Sequence, residues 1–207
     1  PHVRAAVPLA AQTALQGLRD DARVTRGQRV LINGASGGVG TFAVQIAKAM
    51  GADVTAVCSA SAEGLVRGLG ADHVVDYARE DFTTQLGQYD LIFDLVGSRA
   101  LRACVRALRP SGVYVASMGN VGWLLKSALY GLFSRRVTVL AAKPTSADLD
   151  ALTELVERGA VRPVIDRRFT LAQVPDAMRH QVAGHARGKS AISVGEPPAT
   201  ARAIART

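Results

Sequence analysis

Four glycines within seven residues form the strongest chemical signal of this 207-residue sequence: Gly34, Gly37, Gly38 and Gly40. They follow a short apolar run, RVLIN at 29–33, and precede apolar residues that recur at helical spacing up to Met50. A turn between strand and helix lets the backbone approach a diphosphate, while the first amide groups of the helix point at it. We therefore predict that a cofactor diphosphate binds along the whole turn, which comprises Gly34, Ala35, Ser36, Gly37, Gly38, Val39 and Gly40. Ala35 replaces the first glycine of the G-x-G-x-x-G pattern and should strain the turn slightly.

Two other motifs compete for parts of the same sequence. Residues 34–38 also fit G-x-S-x-G, the nucleophile elbow of α/β-hydrolases, with Ser36 as the nucleophile. That elbow needs several strands and an oxyanion loop before it, whereas only a short helical segment precedes this one. Residues 183–190 approach a P-loop but are one residue out of register and follow no predicted strand. Dinucleotide binding is therefore favoured, and a serine hydrolase remains the minor alternative.

Composition narrows the class of protein. With 48% hydrophobic residues, the chain can bury one sizeable core, with an appendage at most. No apolar run has membrane-spanning length and no signal peptide is evident, so we expect a soluble cytoplasmic protein with no membrane partner. Cys58 and Cys104 lie too far apart in sequence to indicate a disulfide framework or a zinc cluster. The net charge of +8 comes from scattered arginines, so no nucleic-acid partner is expected.

The order of the predicted elements indicates an α/β fold. Buried strands are expected at 29–33, 53–58, 73–76, 91–95, 113–117 and 137–141. Helices are expected at 5–18, from the glycine turn to 50, and at 63–69, 101–108, 123–133 and 147–158. Strands without alternation of apolar and polar residues are typical of a parallel sheet covered on both faces. The pattern predicts a doubly wound, six-stranded Rossmann sheet with a ligand crevice at the strand ends.

The last part of the chain departs from this rhythm. Residues 164–171 alternate like an antiparallel strand, 174–182 read as a helix, and 190–194 as a final strand. We accordingly divide the chain into a nucleotide-binding domain at 1–160, a C-terminal segment at 161–194 and a disordered tail at 195–207.

Four stretches, in this order, carry a family resemblance: VLINGASGGVGTFAVQIAKAMGADVTAVCSAS, LVRGLGADHVVDYAREDF, YDLIFDLVG and GHARGKSAISV. Together they resemble the cofactor-binding half of medium-chain dehydrogenases/reductases, in the zinc-independent, quinone-oxidoreductase-like branch. The resemblance implies a nicotinamide cofactor and an oxidoreductase that transfers hydride to a quinone, enone or similar carbonyl substrate. In that family a GroES-like barrel precedes this region and the last strands return to complete it. Strands 164–171 and 190–194 should then be poorly ordered, packed on the Rossmann domain, or paired with another subunit.

The resemblance also implies individual binding residues. Thr13 would lie beside the nicotinamide, Ser59 and Tyr77 near a 2′-phosphate, and Lys189 near the cofactor. Adenosine and nicotinamide contacts would come from two strand ends, comprising Leu95, Val96, Gly97, Ser117, Met118 and Gly119. Simpler interpretations remain open, namely a helix-surface hydroxyl for Thr13, core packing at the strand ends, and an ordinary strand-start charge for Lys189.

The end of the second strand bears on cofactor choice. Cys58 and Ser59 stand where an NAD-selective enzyme carries a carboxylate for the ribose hydroxyls, so NADP is favoured over NAD. The basic residue usual in the following loop is missing, because residues 60–62 are Ala-Ser-Ala. The preference should therefore be modest, with Arg67 or Arg79 as candidate sources of positive charge.

No catalytic residue can be assigned from the sequence. The four histidines lie in no metal-ligand spacing, and no tyrosine has a lysine four residues later, which excludes a short-chain dehydrogenase. The apolar sixth strand at 137–141 would form an open sheet edge, which predicts a homodimer paired through it.

Overall fold

A six-stranded parallel sheet forms the centre of the molecule in this computed structural model, which describes residues 7–117, 136–184 and 186–194. The strands are β1 (Arg29–Asn33), β2 (Asp53–Cys58), β3 (His73–Asp76), β4 (Tyr89–Asp94), β5 (Leu108–Ala116) and β6 (Val137–Val139). Their order is β3-β2-β1-β4-β5-β6, and every neighbouring pair is parallel. The chain reverses its direction of winding between β1 and β4, so a ligand crevice is expected at their carboxyl ends. The predicted doubly wound fold is confirmed.

Helices cover both faces of this sheet. They are α1 (Pro8–Gln16), α2 (Gly40–Ala49), α3 (Glu63–Gly68), α4 (Leu101–Ala107) and α5 (Ser146–Glu157), whereas α6 (Val174–Val182) belongs to the C-terminal segment. Proline suits the first position of α1 because that position needs no amide hydrogen, and α1 continues into a π-helical turn, Gly17–Asp21. The helix predicted at 123–133 lies outside the described residues. Within the described ranges, no helix combines the length and hydrophobicity needed to cross a bilayer.

The fifth strand begins earlier than the sequence pattern predicted. It was expected to begin at Val113, but Leu108 already pairs with Tyr89 of β4. A register shift between Tyr89 and Leu91 accommodates the extra residues, which include Pro110. Proline is tolerated in a strand beside such an irregularity because no ladder hydrogen bond requires its missing donor there.

Two apolar clusters, one on each face of the sheet, hold these layers together. Val30 and Ile32 of β1 belong to the cluster that packs against α1, α2 and α5, with Phe42 at its centre. Leu31, on the opposite face, belongs to the cluster that includes Cys104 of α4. Successive residues of a strand point to opposite faces, so the central strands are buried on both sides. The turn after β1 therefore stands on a rigid base.

The C-terminal segment forms a separate two-stranded sheet of β7 (Ile165–Thr170) and β8 (Lys189–Ser193). These strands pair in parallel, so the prediction of an antiparallel strand at 164–171 is wrong. Helix α6 connects them, and a crossover of this kind returns the chain to run in the same direction. The segment packs on the Rossmann domain, which is one of the three expected outcomes. Gln45 Nε2 on α2 donates to the Arg162 carbonyl at 3.0 Å, and Arg162 N donates to Gln45 Oε1 at 2.8 Å. The predicted tail at 195–207 lies outside the described residues.

A buried carboxylate joins α5 to α1. Asp148 is 3% exposed and accepts hydrogen bonds from Gln16 Nε2 at 2.7 Å and from Arg19 at 2.6 Å. The same Gln16 amide nitrogen donates to the Lys143 backbone carbonyl, also at 2.7 Å. Sequence periodicity gave no sign of this network, which fixes the first helix against the last helix of the Rossmann layer.

Replacing Asp148 by Asn should destabilise the fold in a pH-dependent way. Burial alone would raise the pKa of the Asp148 carboxyl, but hydrogen bonds led by those from Gln16 and Arg19 outweigh burial and lower it. A depressed pKa contributes stability that is complete above the unfolded-state value of about 3.9 and is lost as the pH falls through the folded-state value. We expect Asp148→Asn to lower the free energy of unfolding by about 1–3 kcal/mol at pH 7, with a smaller difference below about pH 4. Urea titrations at both pH values measure this.

Asp150→Asn is the matched control for this prediction. Asp150 lies on the same helix but is exposed, so its replacement should change stability by less than about 0.5 kcal/mol. Equal effects of the two substitutions at pH 7 would contradict the assigned role of Asp148.

Candidate functional site

A cavity of about 740 Å³ opens at the carboxyl ends of β1, β2 and β4. The turn between β1 and α2 forms one side, and the segment leading into β8 forms another. Residues that follow β2, β3 and β4 complete the wall, among them Ser59, Tyr77 and Leu95. This volume lies within the range of small-molecule and cofactor sites.

The glycine turn has no room for a side chain at two positions. Gly34 has φ +86°, and a Cβ there would lie 2.8 Å from Val96 Cγ2. A Cβ on Gly40 would lie 2.1 Å from the carbonyl oxygen of Gly34. Ala35 is fully buried and has no positive φ, so the expected strain at this position is wrong. The left-handed residue of the turn is Gly34, one position earlier.

The amide groups that open α2 are available to a ligand. Gly37 N donates to the Gly34 carbonyl at 3.0 Å, which closes the turn. Among the described residues, the amides of Gly38, Val39 and Gly40 donate to no acceptor. These are the donors that a helix N-terminus leaves unpaired, and the helix dipole adds positive potential at the same place. The turn is therefore built to bind an anion.

The C-terminal segment adds a lysine to this turn. Gly188 N donates to the Ser36 carbonyl oxygen at 2.9 Å, and this contact brings the start of β8 against the turn. Lys189 Nζ lies 3.1 Å from the point that a Cβ on Gly38 would occupy. Burial lowers the pKa of Lys189, and within the described ranges it has no carboxylate partner. A partly buried ammonium group above unpaired amides favours a negatively charged ligand.

The far end of the cavity is lined by hydroxyl groups. The Oγ atoms of Ser59 and Ser61 are 3.1 Å apart, and Tyr77 is 52% exposed beside them. Among the described residues of the cavity wall there is no carboxylate, whereas Arg99, Arg187 and Lys189 all line it. The cavity thus combines hydroxyl groups and cations, a surface suited to a polyanionic ligand.

Neither arginine proposed from the sequence as a source of charge lines this cavity. Arg67 pairs with Glu63 at 2.8 Å, and Arg79 lies 3.9 Å from Asp76. The fold instead brings Arg99 and Arg187 to the wall, and neither is predicted from the sequence.

A buried aspartate supports the loop after β4. Asp94 is fully buried, and its Oδ1 accepts hydrogen bonds from Val96 N at 3.0 Å, Gly97 N at 2.9 Å and Asn33 Nδ2 at 2.9 Å. Its Oδ2 accepts from the Tyr114 hydroxyl at 2.6 Å. Burial, with Asp94 as the second cause, raises the pKa of Tyr114, so the phenol keeps its proton. This group is not among the residues predicted from the sequence, although a carboxylate inside the apolar run YDLIFDLVG is a signal for it.

Comparison with known proteins places this architecture in a family. A family model described as zinc-binding dehydrogenase matches residues 69–192. The chain belongs to the medium-chain dehydrogenase/reductase superfamily. It is similar to NAD(P)H oxidoreductase RTN4IP1, mitochondrial, from Danio rerio, with 35% identity over 93% of this chain and 57% of that protein. It is 31% identical to the chloroplast envelope quinone oxidoreductase homolog of Arabidopsis thaliana, over 89% of this chain and 60% of that protein.

A solved structure agrees with this assignment. The quinone oxidoreductase from Coxiella burnetii superimposes with a TM-score of 0.83 at 30% identity, covering 92% of this chain and 60% of that one. The chain thus spans less than two thirds of these relatives and corresponds to the cofactor-binding half of the superfamily. Two relatives carry mitochondrial and chloroplast-envelope names, and the cytoplasmic location expected from the sequence stays a prediction.

Most of the binding residues predicted from the sequence pattern and the superfamily resemblance meet in the cavity. Those that line it are Gly34, Ser36, Gly37, Gly38, Val39, Gly40, Ser59, Tyr77, Leu95, Val96 and Lys189. Ala35 packs in the core, while the amides of Gly97 and Ser117 donate to the side chain and the backbone carbonyl of Asp94. Met118 and Gly119 lie outside the described residues.

Thr13 is another predicted contact that does not line the cavity. It is 7% exposed, and its hydroxyl donates to the Leu9 carbonyl at 2.8 Å within α1. Thr13 is therefore not a surface hydroxyl, and the role beside the nicotinamide stays a prediction. Within the described ranges, no group of three His, Cys, Asp or Glu side chains is arranged to hold a metal ion.

The near match to a P-loop does not have the architecture of one. Helix α6 precedes residues 183–190, and strand β8 follows from Lys189, whereas a P-loop joins a strand to a helix. A Cβ on Gly188 would lie 2.5 Å from the Val164 carbonyl oxygen, so this glycine serves the packing of β8 beside β7.

Gly40→Ala should disrupt the turn because its methyl group would overlap the Gly34 carbonyl, a backbone atom that cannot move without opening the turn. We expect the free energy of unfolding to fall by about 1–3 kcal/mol and dinucleotide binding to weaken with it. Urea denaturation and calorimetric titration measure the two effects. Gly64→Ala is the control, since nothing lies within 4 Å of its added Cβ on α3. Wild-type stability and binding in Gly40→Ala would rule out the close contact described here.

Proposed function

We propose that this chain is the nucleotide-binding part of an NADPH-dependent oxidoreductase that reduces a quinone, enone or related carbonyl compound. The observation that carries the proposal is the composition of the cavity wall. It contains the unpaired amides of α2 and three cationic side chains, and none of its described residues is a carboxylate. The relatives named NAD(P)H oxidoreductase and quinone oxidoreductase support a nicotinamide dinucleotide and this class of reaction.

The residues of the cavity fit such a cofactor. The amides of Gly38, Val39 and Gly40, together with Lys189, would hold the diphosphate. The glycine turn supplies the close backbone approach, because side chains at Gly34 and Gly40 would meet Val96 and the Gly34 carbonyl. The nicotinamide ring supplies the hydride when the cofactor is bound. The Asp94 group fixes the backbone of residues 95–97, which would position and partly shield the bound dinucleotide.

The charge balance of the wall supports the proposed preference for NADPH over NADH. A carboxylate after β2 would repel a 2′-phosphate, and Ser59 and Ser61 stand there instead. A charge-assisted hydrogen bond contributes about 1.5–3 kcal/mol, or about ten- to a hundredfold in affinity. A single such bond gives a modest preference, in keeping with the absence of a basic residue at 60–62.

Calorimetric titration with NADPH and NADH tests the cofactor, and NADPH oxidation across a panel of quinones and enones tests the reaction. We expect micromolar binding of NADPH, tighter than that of NADH by about tenfold. Binding without oxidation would favour a dinucleotide-binding module that does not turn over substrate. Absence of binding to either nucleotide would overturn the proposal. Labelling of Ser36 by a fluorophosphonate would instead revive the hydrolase alternative; we expect no labelling.

We also propose that two copies of the chain pair through β6. This strand is the last of the sheet, next to β5. On either side of it, Arg136 O accepts a hydrogen bond from Tyr114 N of β5, and Leu140 N donates to Ala116 O of β5. The strand ends at Val139 rather than at Ala141 as predicted. Because alternate amides of a strand point to opposite sides, the amide of Val139 points away from β5, towards an edge with which no other described strand pairs. A second copy could pair with this edge.

Light scattering tests this dimer. The wild type should show twice the chain mass of 21.7 kDa, whereas Val139→Pro, which removes an outward-facing donor, should show the mass of one chain. Proline is compatible with an edge strand when the lost donor faces away from the sheet, so the variant should keep its fold by circular dichroism. A wild-type mass of one chain would refute the dimer.

A further inference from the structure

Arg99 reaches the cavity from the loop between β4 and α4. Its side chain is 30% exposed, and its Nε lies 3.3 Å from Asp81 Oδ1. The guanidinium lines the same cavity as Ser59, Ser61 and Tyr77. Its terminal nitrogens donate to no described residue, so they are available to a ligand in the cavity.

Asp81 anchors this guanidinium. Its Oδ1 accepts hydrogen bonds from Thr83 N at 2.9 Å and from the Thr83 hydroxyl at 2.8 Å. The backbone hydrogen bond from Thr83 is the leading reason that the pKa of Asp81 lies below its usual value. The carboxylate therefore stays ionised at neutral pH and holds Arg99 by one side of its guanidinium.

The ion pair joins Arg99 to the segment that leads from β3 to β4. Arg99 follows β4, and its side chain lines the same cavity as Ser59, which follows β2, and Tyr77, which follows β3. In a Rossmann fold, the adenosine ribose binds at the end of the second strand.

The other two cations of the wall belong to the opposite end. Lys189 lies above Gly38, and Arg187 directly precedes Gly188, whose amide bonds the Ser36 carbonyl. Both are therefore placed at the glycine turn, where the diphosphate would bind. Arg99 is the remaining described cation of the wall that can serve the ribose.

We propose that Arg99 binds the 2′-phosphate of the adenosine ribose and thereby sets the preference for NADPH. This inference rests on the proposed function, since it assigns a specificity residue within the same cofactor site. A guanidinium offers planar, paired donors that match phosphate oxygens, and an anchored one loses little freedom on binding. Arg99 would thus replace the basic residue missing from the loop at 60–62.

The test compares dissociation constants of NADPH and NADH for the wild type and Arg99→Gln, measured by calorimetry. We expect the variant to bind NADPH about 10–100-fold more weakly and NADH within about twofold of the wild type. The fragments 2′,5′-ADP and 5′-AMP should show the same difference, because they contain the adenosine end alone. Arg99→Lys keeps the charge without the paired donors and should give an intermediate loss for NADPH.

Arg102→Gln is the matched control. Arg102 lies on α4, is exposed and lines no part of the cavity, so this variant removes the same charge at a neighbouring site. It should leave both affinities within twofold of the wild type. Thermal unfolding of every variant confirms that the fold is retained.

Each of the following results would overturn the inference. Equal losses for NADPH and NADH in Arg99→Gln would mean that Arg99 contacts a part common to both cofactors. Unchanged affinities, or a selective loss in Lys189→Gln or Arg187→Gln in place of Arg99→Gln, would assign the 2′-phosphate elsewhere. A wild type without preference for NADPH would instead refute the proposed cofactor specificity, and this inference with it, whereas a preference that survives Arg99→Gln refutes the inference alone.

Discussion

The contact between the Gly34 carbonyl and the Cα of Gly40 is the constraint on which the site depends. A Cβ on residue 40 would lie 2.1 Å from that oxygen, which is too close. The helix α2 can therefore begin this near to β1 only with glycine at its first position. The closeness leaves the first amides of α2 at the end of the sheet instead of burying them beneath a longer loop. A helix started further away would keep its dipole but would present its amides outside the crevice.

Two polar groups of opposite sign border this turn, and they have different tasks. Asp94 is buried below the loop after β4, where it accepts hydrogen bonds from four donors of the protein itself. It is therefore not available to a ligand. Lys189 lies in the cavity wall, and burial lowers its pKa without a carboxylate to compensate among the described residues. The first group makes the wall rigid, and the second leaves an attraction for an anion unsatisfied. Rigidity and unsatisfied attraction together are what preorganised anion binding requires.

The features that sequence predicted well are those encoded within short stretches. The strand, the glycine turn and the helix from Arg29 to Ala49 follow from spacing alone, and repetition of the strand–helix pattern gives the parallel sheet. The direction of β7 could not be read in the same way, because alternation of apolar and polar residues reports exposure on one face and not the orientation of the partner. Thr13 shows the same limit of local sequence patterns. The residues around Thr13 in the sequence do not indicate that its hydroxyl donates to the Leu9 carbonyl of its own helix.

Arg99 shows a limit of another kind. Its partner Asp81 is eighteen positions earlier, in the segment between β3 and β4, and only the folded chain brings the two side chains together. Long-range ion pairs leave no periodic pattern in a sequence, so sequence proximity favours Arg67 and Arg79 instead. The local helix and turn already pair these two with Glu63 and Asp76. A pair close in sequence satisfies its own charges, whereas a cation positioned by the fold can keep part of its hydrogen-bonding capacity for a ligand. Topology therefore decides which arginines of this basic chain are available for binding, and their number alone does not.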